Sequence, residues 1–392
     1  MKRRDFLRVA AAGAAASVLP GAPLSAAKAP GPIRIEEPFH GAVLNRRHGQ
    51  AVDGGLKIHV RGTAPAGAPV TVGGAKAARS GDKFDAEIVL RQPETDIIAE
   101  AKYGDRGGGA SRVRVVWDRH SFPRYRFSVD DNSFFLRDIT QKKYKSLFDC
   151  FYLDIFRKLN KKYGAKFVLN IYYTTGDDWK LTEFPDRYKG QWKDNADWLA
   201  LAFHAYANMP NRPYQDAPPE KLIADLDLVN EQIVRFAGED TYSPPTVIHW
   251  GMTRHSAFKP LYQRGVRVLS GYFGKNAKGQ FDVNYRWDDR HSEYLSRHDA
   301  WKDFDSGIVF SKIDIVCNNT PIEKTVPKLA PLAKDPNTAE IMDLFTHEQY
   351  FWPFYRNYIP DHAQRLDTAI RWCTEQGYKP VLYHKGLMGA PV

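Results

Sequence analysis

Cysteine is scarce: the 392 residues hold three, at positions 150, 317 and 373. So few, and an odd number, exclude a disulfide scaffold and a zinc site built from thiolates. Long apolar runs are missing too. None approaches the about 18 residues that a spanning helix needs, so no integral membrane segment is expected in the mature chain. There is no Gly-x-Gly-x-x-Gly and no P-loop, which leaves a nucleotide-binding fold without support. Acidic residues are outnumbered, 46 against 56 Lys and Arg, for a formal charge of +10. What is present is globular in kind. Hydrophobic residues make up 43% and charged residues 26%, which excludes a largely disordered chain. Aromatics are abundant, with 9 Trp, 20 Tyr and 22 Phe. The length suggests two or three domains.

The first residues read as an address. Lys2-Arg3-Arg4-Asp5-Phe6-Leu7-Arg8 precedes a short Ala-rich stretch, and small residues at Ser25-Ala26-Ala27 offer a cleavage site. This looks like a twin-arginine export signal over residues 1–27, which implies a periplasmic or secreted protein. Such export carries folded proteins, which suits a metal loaded before transport. Cleavage after Ala27 would leave a formal charge of +7. Outside the cytoplasm nucleic acid is a poor partner, and an anionic polysaccharide is the better match for that charge.

Two bodies follow. Residues 31–117 hold short alternating runs, Leu56–Val60, Val70–Val72, Phe84–Leu90 and Val113–Trp117, punctuated by Gly-rich turns. They predict a small all-β sandwich of immunoglobulin-like type, with a hairpin tip at Arg106–Ala110. Residues 122–392 read differently. Strands at Phe127–Val129, Phe167–Tyr172, Leu199–Phe203, Val247–Trp250, Val266–Leu269, Ile308–Ile315, Ile341–Phe345 and Pro380–Tyr383 alternate with helices at Asp138–Tyr163, Pro219–Phe236, Ala257–Arg264 and Asp361–Gln376. That alternation predicts a parallel α/β fold, and the number of units favours a closed (β/α) barrel.

Polar residues at the C-terminal ends of parallel strands are candidates for chemistry. Asp130 and Asp131 follow the first strand, where adjacent carboxylates can divide metal binding from base chemistry, share a proton, or cap the next helix. His204 ends an apolar run, with Tyr206 and Asn208 close behind. A His with a second ligand four residues on is metal-like spacing, but Asn is a poor zinc ligand. His249, Trp250 and Arg254 share one loop, where Trp250 offers a stacking face for a sugar. His347-Glu348, with Tyr350 next to them, can supply a general acid or base.

In this order the motifs resemble the polysaccharide deacetylase (NodB-like) family, whose fold is an irregular (β/α)7 barrel. Phe127-Ser128-Val129-Asp130-Asp131 is similar to the family's opening Asp-Asp motif, and His204 to the first His of its His-x-x-x-His motif, with Asn208 at the second. Phe345-Thr346-His347 is similar to its closing Leu-x-His, and Arg212-Pro213-Tyr214 mimics a further motif. The resemblance spans about residues 122–385. It implies Asp130 as general base, His347 as general acid, and Asp131 and His204 as ligands of a divalent metal ion (zinc or similar). His249 or Asn208 would complete the set. The Trp-containing segments Gly176–Asp197 and Phe281–Asp305, the latter with Tyr285, Trp287 and Trp301, are expected to wall a substrate groove.

These readings give three functions to weigh. The first is an exported, metal-dependent polysaccharide deacetylase. The second is a metal-free glycosidase or lyase acting on an acidic polysaccharide gripped by Arg254, Arg267 and Arg286. The third is a glycan-binding protein without catalysis.

Overall fold

The computed structural model describes residues 32–104, 107–176 and 179–388; the expected export signal lies outside them. Among the described residues no helix is long and apolar enough to cross a membrane.

Residues 34–117 form two five-stranded sheets. One pairs Arg34–Glu37, Gly55–Thr63, Lys83–Leu90 and Ala78–Ser80, with Gln50–Val52 beside Gly55–Thr63. The other runs Val43–Leu44, Gly108–Trp117, Glu94–Lys102, Val70–Val72 and Ala75–Lys76. Alternation places Ile58, Val60, Phe84, Val72, Ile97, Ala99 and Val115 in one shared apolar core, as strands with a single buried face require. The expected hairpin tip is displaced: Gly108 already pairs with Lys102, and Arg106 lies outside the described residues.

The second body is mixed α/β. Its main sheet is parallel, in the spatial order Leu199–Ala205, Phe167–Tyr172, Arg124–Asn132, Ile341–His347, Ile315–Val316, with Lys379–Pro380 against the start of Arg124–Asn132. A three-stranded sheet of Val268–Gly271, Val309–Lys312 and Ala300–Lys302 stands apart. No sheet among the described residues closes on itself, contrary to the expected (β/α)7 barrel. The cause is local. No strand forms at Val247–Trp250; a 3-10 turn spans His249–Gly251, with Trp250 at φ 65°. Across this gap run single bonds, such as Ser270 N to Thr246 O at 2.7 Å. The long helix expected over Asp138–Tyr163 is likewise divided. It becomes Phe134–Lys142, a 3-10 turn Leu147–Asp149 and Phe151–Tyr163, because Lys143 turns left-handed and Ser146 caps a new start. Gly164, at φ 68°, ends the last piece, where an L-residue would be strained.

The first strand shows how the sheet sets up a site. Tyr125, Phe127 and Val129 join the apolar core with the helices, while Arg124, Arg126, Ser128 and Asp130 are buried and polar. Period 2 therefore puts polar groups on the inner side of the sheet. Arg126 donates to Asp343 Oδ1 at 2.7 Å and to Thr246 Oγ1 at 3.1 Å, and Asp343 also accepts from Ser270. The pair sits on adjacent strands of the main sheet, and its bonds to Thr246 and Ser270 reach across the gap. Asp343→Ala is expected to destabilise the fold by about 3–5 kcal/mol in denaturant unfolding, because Arg126 is left buried without its partner. Pairing Asp343→Leu with Arg126→Met should recover most of that loss.

The tryptophans of these segments are largely packed inward, although Trp287 and Trp301 border a hollow of about 340 Å³ with His255 and His291. Trp179 and Trp192 are buried, the latter against Phe135 and Phe236. Tyr285 and Trp301 are buried as well, and Trp301 Nε1 donates to His40 O at 2.6 Å. The second segment thus seals the seam between the two bodies. Arg47 to Glu340 at 2.5 Å and Lys302 to Glu94 at 2.6 Å lie on the same seam.

Candidate metal centre and its pocket

Strict alternation would send Asp130 and Asp131 to opposite faces of the first strand. A register shift between Val129 and Asn132 prevents it. Asp131 sits at φ 62°, a left-handed conformation that Asp tolerates better than most residues. The bulge turns its carboxylate back toward the side that Asp130 faces. Asp130 is also in register with His347 on the neighbouring strand.

Three groups converge here. Asp131, His204 and His249 each offer one ligand atom, all within 4.8 Å of one another. His204 Nε2 is 3.1 Å from Asp131 Oδ1, His249 Nδ1 is 3.5 Å from the same oxygen, and the two ring nitrogens are 3.0 Å apart. Donors at about 2.0–2.2 Å from a common ion are separated from each other by about 3.0–3.5 Å in tetrahedral or octahedral arrangements. The donor set, one carboxylate oxygen and two imidazole nitrogens, also suits zinc or a similar divalent ion. The residues therefore fit a metal. Asn208 stands outside this set: its Oδ1 accepts from Tyr172 at 3.3 Å. His249, brought in by the 3-10 turn, offers the third candidate ligand atom.

Charge and burial act on each group. Burial alone would raise the Asp131 carboxyl, but the His204 hydrogen bond and the nearby His347, His204 and His249 hold it well below the usual carboxylate range. His204 would be lowered by burial, yet Asp130 and Asp131 raise it. Burial and the neighbouring His204 push His249 down to about 3, leaving it neutral, as a ligand must be. Burial raises the Asp130 carboxyl, with His204, His347 and Asn170 opposing.

Asn170 and Tyr172 alternate inward on the strand Phe167–Tyr172, and residue patterning gave them no role. Asn170 Nδ2 donates to Asp130 Oδ1 at 2.6 Å, which turns Asp130 Oδ2 toward His204 Nε2, 3.9 Å away. Tyr172 Oη donates to Asp131 Oδ1. Gln349 Nε2 holds the other Asp131 oxygen at 3.1 Å. His347 Nδ1 lies 3.0 Å from Asn318 Oδ1, and its Nε2 is 4.0 Å from Asp131 Oδ2. The one signal for these groups was Asn170 itself, a polar residue inside an otherwise apolar strand.

A cavity of about 520 Å³ opens over Asp131, lined by Tyr172, Tyr206 and Asn208 on one side and Phe134, Gln349 and Tyr355 on the other. Tyr206 is partly exposed and stacks on Tyr173 at 5.1 Å. Trp250 is 40% exposed, with the Arg212 guanidinium 5.0 Å from its ring. Arg212 in turn is held by two bonds to Asp282, at 2.8 and 2.7 Å. Tyr350 packs behind His347, ring to ring at 6.0 Å, and does not line the cavity. Arg254 is bound to the Asp216 carbonyl and Arg286 to the Asp216 carboxylate. Arg267 donates to the Tyr262 carbonyl.

Glu348, expected beside His347 as an acid or base, faces the other way. Its carboxylate accepts from the backbone N–H of Ser133, Phe134 and Phe135 at 2.5, 2.8 and 2.6 Å. It thereby caps the helix Phe134–Lys142, whose own Ser133 makes no side-chain cap. Burial pushes its carboxyl up to about 7 against the pull of those donors. Glu348→Ala is expected to cost about 2–4 kcal/mol in thermal unfolding, since three orphan N–H groups lose their acceptor. Glu348→Gln should cost less, and both variants should retain the metal.

No protein-family model matches the chain, and no curated protein resembles it in sequence. Among solved structures, the Bc1960 peptidoglycan N-acetylglucosamine deacetylase aligns at 12% identity with a TM-score of 0.38, over 67% of this chain and 86% of that one. The 4-alpha-glucanotransferase from Thermococcus litoralis aligns at 13% identity and 0.44, over 67% and 40%. A family 4 acetyl xylan esterase from Clostridium thermocellum, in complex with a cobalt ion, aligns at 11% and 0.30, over 66% and 86%. Likeness of this extent is too slight to assign an activity.

Proposed function

We propose that the protein is an exported, divalent-metal-dependent hydrolase that removes acyl groups from a polysaccharide, on a distorted and unclosed relative of the (β/α)7 deacetylase barrel. One observation carries this reading: the convergence of Asp131, His204 and His249 at ligand spacing, with Asp130 and His347 on flanking, in-register positions. Asp131, His204 and His249 hold the ion, which when bound supplies Lewis acidity to a carbonyl oxygen. Asp130, oriented by Asn170, takes the proton of the attacking water. His347 keeps Nδ1 on Asn318 and presents Nε2 to the leaving nitrogen or oxygen, to which it returns a proton. Phe134 and Tyr355 give one side of the pocket an aromatic lining.

The substrate is a neutral glycan on this reading. Among the described residues, Asp131 is the one charged side chain lining the cavity. Arg254, Arg267 and Arg286, the residues that would have gripped a uronate polymer, are each engaged within the protein. Tyr206 and Trp250 supply the apolar faces that sugar rings stack on. The twin Arg3-Arg4 signal supports export in the folded state.

The test is acetate release from oligomers of N-acetylglucosamine and from acetylated xylan by protein purified without chelator, alongside its metal content. Acetate release that falls on chelation and returns with zinc or cobalt is expected. Chain shortening or new unsaturated ends without acetate would replace this reading with a glycosidase or lyase.

A further inference from the structure

We infer that the hollow at the seam between the two bodies is a second glycan-binding site, which takes one sugar ring of the polymer deacylated at the metal centre. The inference rests on the deacylase reading above for the identity of that polymer. The hollow holds about 340 Å³ and draws its lining from both bodies: His40 from the first, and Ser256, Lys259, Trp287, Phe304 and Asp305 from the second. Much of that lining is aromatic. His255 lies against Trp287 with ring centroids 4.2 Å apart, Trp287 meets Trp301 edge-on at 4.8 Å, and Phe304 meets the His40 ring at 5.6 Å. The polar groups are of both signs. Asp303 is committed to its own turn, accepting from the backbone of Asp305 and from Ser306. Asp305, Lys259 and Ser256 line the hollow and are exposed.

This is the chemistry that recognises a neutral sugar. Its C–H faces pack on aromatic rings, and its hydroxyls bond to a carboxylate, an ammonium and a serine hydroxyl. Two carboxylates beside one ammonium disfavour a polyanion. The chain itself joins the hollow to the metal centre. His249 offers a ligand atom there, and six residues on, His255 lines the hollow. Six residues span at most about 22 Å, so an oligosaccharide seated over Asp131 can reach both places. Trp250, exposed, lies on that path. Arg254 and Arg286 are both anchored on Asp216, which fixes the surface between. Through His40 the first body takes part in holding the substrate.

Binding and chain length test it together. The metal-loaded full chain carrying Asp130→Asn is titrated calorimetrically with the hexamer of N-acetylglucosamine. Asp305→Ala removes a hydroxyl acceptor, and Ser256→Trp fills the hollow with an indole. Each is expected to weaken hexamer binding by about tenfold, the size of one lost hydrogen bond to a charged group. In the otherwise wild-type chain, the same two substitutions should lower kcat/KM for acetate release from the hexamer by about tenfold. They should leave the dimer, too short to span both places, unchanged. If Ser256→Trp does not fold, Asp305→Ala decides, since its side chain is exposed. Hexamer binding that is absent, or equal in wild type and variants, overturns the inference. A fall shared equally by dimer and hexamer overturns it too, because the substitutions then act through the fold. Absence of acetate release from every substrate removes the deacylase reading instead, and the titration alone then judges the hollow.

Discussion

Asp130→Asn is expected to lower kcat by about 10²–10⁴-fold, the range a positioned general base contributes, while metal content and fold stay at wild-type levels. The substitution is nearly isosteric. Its side-chain oxygen can still accept from Asn170 Nδ2, as Asp130 Oδ1 does at 2.6 Å, so the geometry of the pocket should survive. What is lost is the ability to take a proton. A decrease of that size corresponds to about 2.7–5.5 kcal/mol in the barrier. KM should change little, because Asp130 is buried and is not among the groups lining the cavity. Asp131→Asn gives the necessary contrast: it should lose activity by losing metal, which elemental analysis would register. Turnover within tenfold of wild type in Asp130→Asn would remove this residue from the proposed mechanism.

The sequence disclosed the parts whose signal is local. Alternating runs marked strands such as Leu56–Val60, inside the observed Gly55–Thr63, and Gly164 marked a helix end. The strand ends carrying Asp130, Asp131, His204 and His347 were legible because polar residues interrupt apolar runs there. Other features depend on where the chain goes in space. Trp179, Trp192 and Trp301 looked like groove walls, but an aromatic residue has the same appearance in a core as in a cleft. Glu348 looked catalytic beside His347, yet neighbours at the end of a strand point opposite ways, and only the fold reveals the orphan helix N-terminus it serves. His249 was one of several candidates for the third ligand. What brings it in is the turn at Trp250, and the same turn stands where the expected strand Val247–Trp250 is missing. The position of His249 and the missing strand thus belong to one local feature.

That linkage can be tested through the ligands. His204→Ala should reduce the bound ion from about one per chain to a small fraction, and His249→Ala should do the same, while Asn208→Ala should keep it. Each histidine contributes one of three convergent donors, so its loss should exceed the about 10–100-fold in affinity typical of removing an outer partner. Asn208 is such an outer partner here, since its side chain reaches Tyr172 and not the cluster. Truncating His204 also opens space beside Asp130 and Asp131, whose carboxylates then lack a neighbouring cation, so thermal unfolding should be followed in parallel. His204→Gln, closer in volume, guards against a mere packing defect. The expected pattern, metal lost in both histidine variants and retained in Asn208→Ala, would place the third ligand in the turn after Ile248. Metal retained in His249→Ala but lost in Asn208→Ala would put it back four residues after His204, and the turn at Trp250 would then owe its shape to packing alone.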